Sequence, residues 1–338
     1  MLWLGVETSC DETAVAIVDC NESGFTIRGS KVSSQIRSHQ PFGGVVPELA
    51  VREHLRNLPE MVPSLLKECS IERNQVEGIA VTEGPGLAAC LLIGHSYARG
   101  LGLSLGIPVI GVNHLEGHLL SPFISGSEVD PFPFVTLVVS GGHTLLMVAR
   151  SLGKYQKLGG TVDDAAGEAF DKVARLLGLS YPGGPEIERM AIQGNPTAYP
   201  FPKSFPERDN FNFSFSGLKT SVRYFLDKHP RSLSDPQFIA DVCASFQEAV
   251  VQVLVRKTIL AAETSGCRLI TAAGGVVCNQ RLREVLTESG NRAGIVVKLA
   301  AGSLCTDNAA MIAAAAAWRV RQGATTGIGP DINPNLPL

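Results

Sequence analysis

Two histidines four residues apart, His114 and His118, stand in the run Gly111-Val-Asn-His-Leu-Glu-Gly-His-Leu-Leu120, just after the apolar segment Ile107-Pro-Val-Ile110. In a helix that spacing turns through about 400°, so both imidazoles leave one face and can grip a single cation. The zinc-protease use of this spacing sets a glutamate directly after the first histidine as general base. Here the acid is Glu116, two positions on and about 200° round the helix, nearly opposite the imidazoles. A peptidase reading loses its base. The pair is then either a metal site or one packed and one solvated imidazole, and other parts of the chain must decide.

A possible third ligand lies far along the chain, in Cys305-Thr-Asp-Asn308, ahead of an alanine-rich helical pattern that ends near Arg321. Thr306 or Asp307 reads by default as that helix's cap. An aspartate at a helix start is also a natural partner for two histidines in a two-histidine, one-carboxylate site with open positions. The polar turn at residues 8–12 offers hydroxyls and backbone N–H groups that could cradle a phosphate, while Asp11 and Glu12 could hold a cation or take a proton. An ordinary hairpin turn capped by Asp and Ser would look the same.

The elements that must position these groups follow from periodicity. Leu2–Glu7 and residues 13–19 read as a hairpin of two strands. Over residues 46–67 apolar positions recur at helical spacing, with Arg52, His54 and Arg56 exposed between them. Together with Arg37 and His39 this is a candidate RNA face, or simply a solvated helix surface. Residues 76–82 form a buried strand, 83–87 a glycine turn, Ala88–Leu105 a helix, and 109–112 the strand that delivers the histidines. Pro122, Pro131 and Pro133 mark a boundary near 122–133.

Beyond it the opening layout recurs. Phe134–Val139 is a strand, Ser140-Gly-Gly-His143 a turn and 144–149 a returning strand, while residues 268–275 and the helix after Asn279 echo residues 81–86 and their helix. The chain is internally duplicated. Two such lobes describe an α/β protein of the two-lobed actin-like ATPase fold, with duplicated ribonuclease-H-like lobes and nucleotide in the cleft between them. The N-terminal lobe spans 1–122, completed by the C-terminal helix around 306–322, and the C-terminal lobe spans 134–303. Residues 8–12, 140–143 and 274–279 would line the cleft.

The second lobe holds two further clusters. In Asp163-Asp-Ala-Ala-Gly-Glu-Ala-Phe-Asp-Lys172, Asp163 and Asp164 read as dipole partners at the start of their own helix, whereas Asp171, inside it, could accept ribose hydroxyls. Phe211-Asn-Phe-Ser-Phe-Ser-Gly-Leu-Lys-Thr220 alternates aromatic and hydroxyl residues, as a core-edge strand or a base-stacking platform would; the strand is the expectation. Lys203, Arg208, Lys219, Arg223 and Lys228 give the region a basic tilt, so residues 203–231 are, like 37–56, a candidate RNA face.

The 338 residues are 45% hydrophobic and 18% charged, enough for two substantial cores and unlike a disordered chain. A formal charge of −3 gives no global field toward nucleic acid or anionic membrane, so any RNA contact needs a local patch or a partner. The eight cysteines contain no Cys-x-x-Cys pair, which speaks against a disulfide framework or sulfur-rich zinc site and for a reducing compartment. The opening strand is too short for a secretion signal and no later run reads as membrane-spanning. A cytoplasmic protein is expected, with a removed organellar presequence left open.

Six segments together resemble one family: Gly5-Val-Glu-Thr-Ser-Cys-Asp-Glu-Thr13, His114-Leu-Glu-Gly-His118, Val139-Ser-Gly-Gly-His-Thr144, the Asp163 to Lys172 run, Phe213-Ser-Phe-Ser-Gly-Leu-Lys219 and Cys305-Thr-Asp-Asn308. Their order and spacing are similar to those of the bacterial-type TsaD family, catalytic subunits of tRNA N6-adenosine threonylcarbamoyltransferase. The resemblance spans nearly the whole chain. It implies transfer of threonylcarbamoyl from threonylcarbamoyl-AMP to N6 of adenosine 37, beside the anticodon of tRNAs that read codons beginning with A, with release of AMP.

Carried over residue by residue, the resemblance implies that His114, His118 and Asp307 hold one divalent metal ion, iron first, with zinc or magnesium as alternatives. It implies that Val138, Val139, Ser140, Gly141, Gly142, Asp171, Gly184, Glu188 and Asn279 bind the donor's AMP. Glu188 replaces the aspartate of many relatives. Val138 stands where archaeal and eukaryotic cousins place a metal-binding tyrosine, which sides with the bacterial and organellar branch. Glu12 or Asp11 is the expected catalytic group for the amine's proton. Implied partners are tRNA, a TsaB-like protein dimerising through the N-terminal lobe, a TsaE-like ATPase and a TsaC-like donor synthase, without a membrane. The rivals are a metalloprotease, a small-molecule kinase or ATPase of the same fold, and a non-catalytic scaffold.

Overall fold

β-Branched and apolar residues at the start of the chain pair into a hairpin whose interior face is wholly dry, with Val6, Val15 and Ile17 fully buried. The computed structural model describes residues 1–21, 24–124, 131–205, 207, 209–230, 234–323 and 331–338. It divides into two units, Met1–Pro131 with Thr306–Leu338, and Phe132–Cys305.

The first unit runs β1 (Leu2–Glu7), β2 (Glu12–Asn21), β3 (Gly24–Ser34), the short α1 (Ile36–His39), α2 (Pro47–Glu68), β4 (Gly78–Gly84), α3 (Ala88–Leu105), β5 (Val109–Asn113) and α4 (His114–Leu120). The second runs β6 (Phe134–Val139), β7 (Thr144–Ser151), β8 (Lys154–Gly160), α5 (Ala166–Leu176), α6 (Gly183–Ala191), α7 (Ser216–Lys228), α8 (Pro236–Ser265), β9 (Leu269–Ala273), α9 (Gln280–Ala293), β10 (Val296–Leu299) and α10 (Gly302–Cys305). The chain then returns to the first unit through α11 (Ala309–Arg321).

The two sheets repeat one plan. Sheet order is β3-β2-β1-β4-β5 in the first unit and β10-β9-β6-β7-β8 in the second, which is the same order read from the other edge. In each, the first three strands are antiparallel and the last two join parallel to the first. The duplication seen in the sequence is therefore structural. It puts equivalent polar turns, residues 8–11 and 140–143, at the tips of equivalent hairpins.

In the first unit Leu58, Val62 and Leu65 of α2 pack on Leu4, Val15, Ile17 and Ile79. His54, expected on the exposed face of this helix, is instead fully buried: Nδ1 meets Thr13 Oγ1 at 2.8 Å and Nε2 the Cys10 carbonyl at 2.9 Å. A buried imidazole with both nitrogens engaged pins α2 to the turn at residues 8–11. Seven of the thirteen residues of α11 are alanine, which lets it lie on the sheet at backbone distance. A Cβ on Gly5 would come within 2.1 Å of the Ala309 carbonyl oxygen.

Two readings of the second unit need correction. Residues 211–220 are neither strand nor base platform: Phe213 makes one isolated bridge to Thr161, Phe213 and Phe215 are buried, and α7 begins at Ser216. Also, α8 is long and apolar enough to cross a membrane by length and composition, although no such run was read from the sequence. Mostly buried in the fold, it serves as the core helix of this unit.

Candidate functional site

α4 opens directly from β5, where the Asn113 side chain accepts hydrogen bonds from the N–H groups of Leu115 (2.9 Å) and Glu116 (3.4 Å). This cap fixes the helix at His114, so the four-residue spacing becomes real proximity. The two imidazole centroids lie 4.7 Å apart, edge to face. Gly117 lets the helix approach α11 closely, since a Cβ there would sit 3.0 Å from Met311 and Ile312 atoms.

At the head of α11 the cap is Asn308, whose Oδ1 accepts from the Met311 N–H at 2.9 Å, and neither Thr306 nor Asp307 fills that role. Asp307 turns its carboxylate to the histidines instead, with Oδ1 3.1 Å from His118 Nε2 and 3.5 Å from His114 Nε2. One ligand atom from each of the three lies within 4.8 Å of the others.

Sequence reasoning missed the group behind His114. Glu7, the last residue of β1, is fully buried; its Oε2 lies 3.0 Å from His114 Nδ1 and accepts from Thr82 Oγ1 at 2.5 Å, and its Oε1 accepts from the Ser9 N–H at 2.5 Å. Burial alone would raise Glu7, but the charge and hydrogen bond of His114 and that of Thr82 hold it below its ordinary value. His114 in turn is pushed up to about 9, because Asp307 and Glu7 outweigh its desolvation. His114 donates Nδ1–H to Glu7, which fixes the ring, and loss of the imidazolium proton from Nε2, the nitrogen that faces Asp307, would free that lone pair for a cation. A carboxylate ending an otherwise apolar strand was the signal available in the sequence.

The donor set thus fits a single divalent cation: two imidazole nitrogens and one carboxylate, one histidine held in its tautomer by a second carboxylate. Glu116 takes no part. It is buried on another side of α4, in an ion pair of 2.7 Å with Arg319. Glu12 stands at the start of β2, where burial, then Asp307 and Asp11, push it up to about 9. Asp11 hydrogen-bonds to Glu12, and its carbonyl accepts from the Gln35 N–H at 3.1 Å.

In the second unit Val138 to Gly142 lie at the C-terminal end of β6 and in the turn after it, Gly184 and Asn279 at the starts of α6 and α9, and Asp171 and Glu188 inside α5 and α6; the ends of strands and starts of helices are where α/β sheets bind anions and nucleotides. The Ser140 carbonyl accepts from the Gly167 N–H at 3.2 Å, tying the turn to α5, and Gly141 and Gly142 have open space where a side chain would be. Asp171 accepts from the Gly183 N–H at 2.7 Å and lies above its usual range, burial outweighing the hydrogen bonds from Gly183 and Gly184. Glu188 accepts from the Gln280 N–H at 2.6 Å. Asn279 caps α9 through the Leu282 N–H and donates to Gln247 at 2.7 Å. Val138 and Val139 are fully buried in β6, so their side chains serve the core and only their backbone faces the turn.

Asp163 and Asp164 also differ from expectation. They lie before α5 and serve α7: Asp163 accepts from Ser214 and Ser216 hydroxyls and from the N–H groups of Phe215 and Ser216, while Asp164 bridges Lys172 and Lys219.

Comparison with known proteins gives the family. Residues 26–314 match the family model described as TsaD, tRNA N6-adenosine threonylcarbamoyltransferase. Proteins of that name from Geobacter metallireducens and Clostridioides difficile are 48% and 45% identical to this chain, each over 100% of it and over 97% and 98% of their own lengths. Among solved structures, full-length HypF in its phosphate- and nucleotide-bound form superposes with a TM-score of 0.61 at 15% identity, over 96% of this chain and 56% of that one. That likeness bears on fold alone and agrees with two α/β lobes of the actin-like ATPase class. By sequence along its whole length, the chain belongs to the TsaD family of tRNA N6-adenosine threonylcarbamoyltransferases.

Proposed function

We propose that this chain is a tRNA-modifying acyltransferase that moves the threonylcarbamoyl group from threonylcarbamoyl-AMP to N6 of adenosine 37 and releases AMP. The observation that carries the reading is its full-length similarity to transferases of that name, supported by the three ligand groups gathered on α4 and before α11. Nothing favours a peptidase, since Glu116 is committed to Arg319.

In the first unit His114, His118 and Asp307 would hold one metal ion. Their donor set is that of non-haem iron sites and also admits zinc; iron is the proposed ion. A divalent cation held there would supply Lewis-acid charge to the acyl donor, and it would offset the charge of Asp307, which comes after burial among the causes that push Glu12 up. Glu7 holds His114 in register, and Glu12, or Asp11 beside it, receives the proton of the attacking N6 amine. In the second unit Ser140, Gly141 and Gly142, with the backbone of Val138 and Val139, would face the AMP phosphate; Asp171, Gly184, Glu188 and Asn279 would take its ribose and base. Bound in this way, the leaving AMP is fixed in orientation before attack.

A TsaB-like partner would dimerise through the first unit. A TsaE-like ATPase, a TsaC-like donor synthase and a cytoplasmic location complete the proposal.

The test is mass spectrometry of nucleosides from unmodified tRNA incubated with this protein, its partners, threonine, bicarbonate and ATP. Wild type is expected to form threonylcarbamoyladenosine and His114→Ala to lose at least about 100-fold in rate. In single turnover Glu12→Ala should abolish transfer while still binding donor. No product from wild type with active partners would overturn the transferase reading.

A further inference from the structure

Outside the site, a groove of about 500 Å³ between α5 and α7 is lined by Lys172, Arg175, Leu176, Lys219, Thr220 and Arg223. On α5 Lys172 and Arg175 are three residues apart, and on α7 Lys219 and Arg223 are four apart, so each helix turns its pair of cations to one face. Asp164 sets the two lysines, meeting Lys172 at 2.8 Å and Lys219 at 2.7 Å, and Glu168 adds a contact to Lys172 at 2.7 Å. Four of the six lining residues are cationic and none of the six is acidic, while Asp164 and Glu168 pair with the lysines and Asp171 and Asp227 lie one helical turn from Arg175 and Arg223. Arg175 and Arg223 are exposed. Tyr224, 56% exposed, lies beside Arg223, whose guanidinium is 5.1 Å from the ring centroid.

We propose that the α5–α7 groove is a binding surface for the phosphodiester backbone of RNA. Lysines fixed by acidic partners and exposed arginines on the same two helices suit successive phosphates, and an exposed aromatic ring beside the cations suits an unstacked base. Arg175 also lies one helical turn from Asp171, so RNA held here runs alongside the residues assigned to the donor. The inference deepens the tRNA-modifying reading and rests on it only for the identity of the polyanion.

The test is tRNA binding to the full-length protein by fluorescence anisotropy across a salt series, which needs no turnover. Arg175→Glu with Arg223→Glu should weaken binding at least about tenfold at 100 mM salt and lower the log–log salt slope by about two. Arg175→Gln with Arg223→Gln should lower the slope by the same amount with a smaller loss of affinity. Lys154→Glu with Lys157→Glu on β8, an equal change in net charge, should cost less than about threefold. Equal losses in both glutamate pairs, an unchanged slope, or no tRNA binding by wild type at low salt would overturn the proposal. So would AMP competition or binding to phosphatidylserine vesicles that the Arg175/Arg223 changes abolish, because the groove would then be a mononucleotide or membrane site. If wild type binds tRNA through the groove yet makes no threonylcarbamoyladenosine, the function reading fails and this one stands.

Discussion

Glu7 shows how one buried residue can decide what two histidines do. Held by Thr82, the Ser9 N–H and His114, its carboxylate is fully satisfied in a place where an unpaired charge would be costly. Replacing it with Gln keeps the shape but removes the charge that fixes the His114 tautomer. Glu7→Gln should therefore fold while binding iron or zinc about 10- to 100-fold more weakly, read by metal titration with a competing chelator. Unchanged metal affinity would show that Glu7 only fills space. The sequence pointed to the three ligands through spacing and helix position, but this partner and those of His54 come from strands and turns 41 to 107 residues away. Pairing at that separation leaves no periodic trace.

At the scale of elements, the site depends on how closely α11 lies on β1 and α4. Alanines at 309 and 313–317 and glycines at 5 and 117 remove the side chains that would hold the layers apart. Gly5→Ala would press a methyl group against the Ala309 carbonyl, two residues from Asp307. Overpacking of this kind costs about 1–3 kcal/mol, and relief requires α11 to move. The expected result is a lower Tm together with weaker metal binding; a lower Tm with metal affinity intact would separate the packing from the site. Strands and long helices were legible because their burial is periodic: α3 and β6 fall where the pattern predicts them. Residues 211–220 misled because alternation of Phe with polar residues imitates a strand. What fixes them is Asp163, about fifty residues earlier, capping α7.

For the molecule as a whole, the repeated sheet order was readable from the repeated hairpins, whereas the balance of charge was not. The formal charge of −3 conceals a second unit in which Asp163 and Asp164 join α5 and α7. Burial tends to raise both acids, but the hydroxyl and N–H donors around Asp163, and Lys172 and Lys219 around Asp164, hold them below the ordinary carboxylate range. A carboxyl group depressed in the folded state leaves the native protein with fewer bound protons than the unfolded chain. Its stabilisation is then complete above the unfolded value of about 3.9, and is lost as pH falls through the lower, folded value. Both groups are partly in contact with solvent, so the effect is screened and modest. Asp163→Asn with Asp164→Asn should lower Tm by about 2–4 °C at pH 7. Between pH 5 and pH 2.5 the variant should lose less stability than wild type, so that the two melting curves converge in acid. Parallel loss across that range would mean that the α5–α7 junction owes its stability to packing and not to these ionised acids.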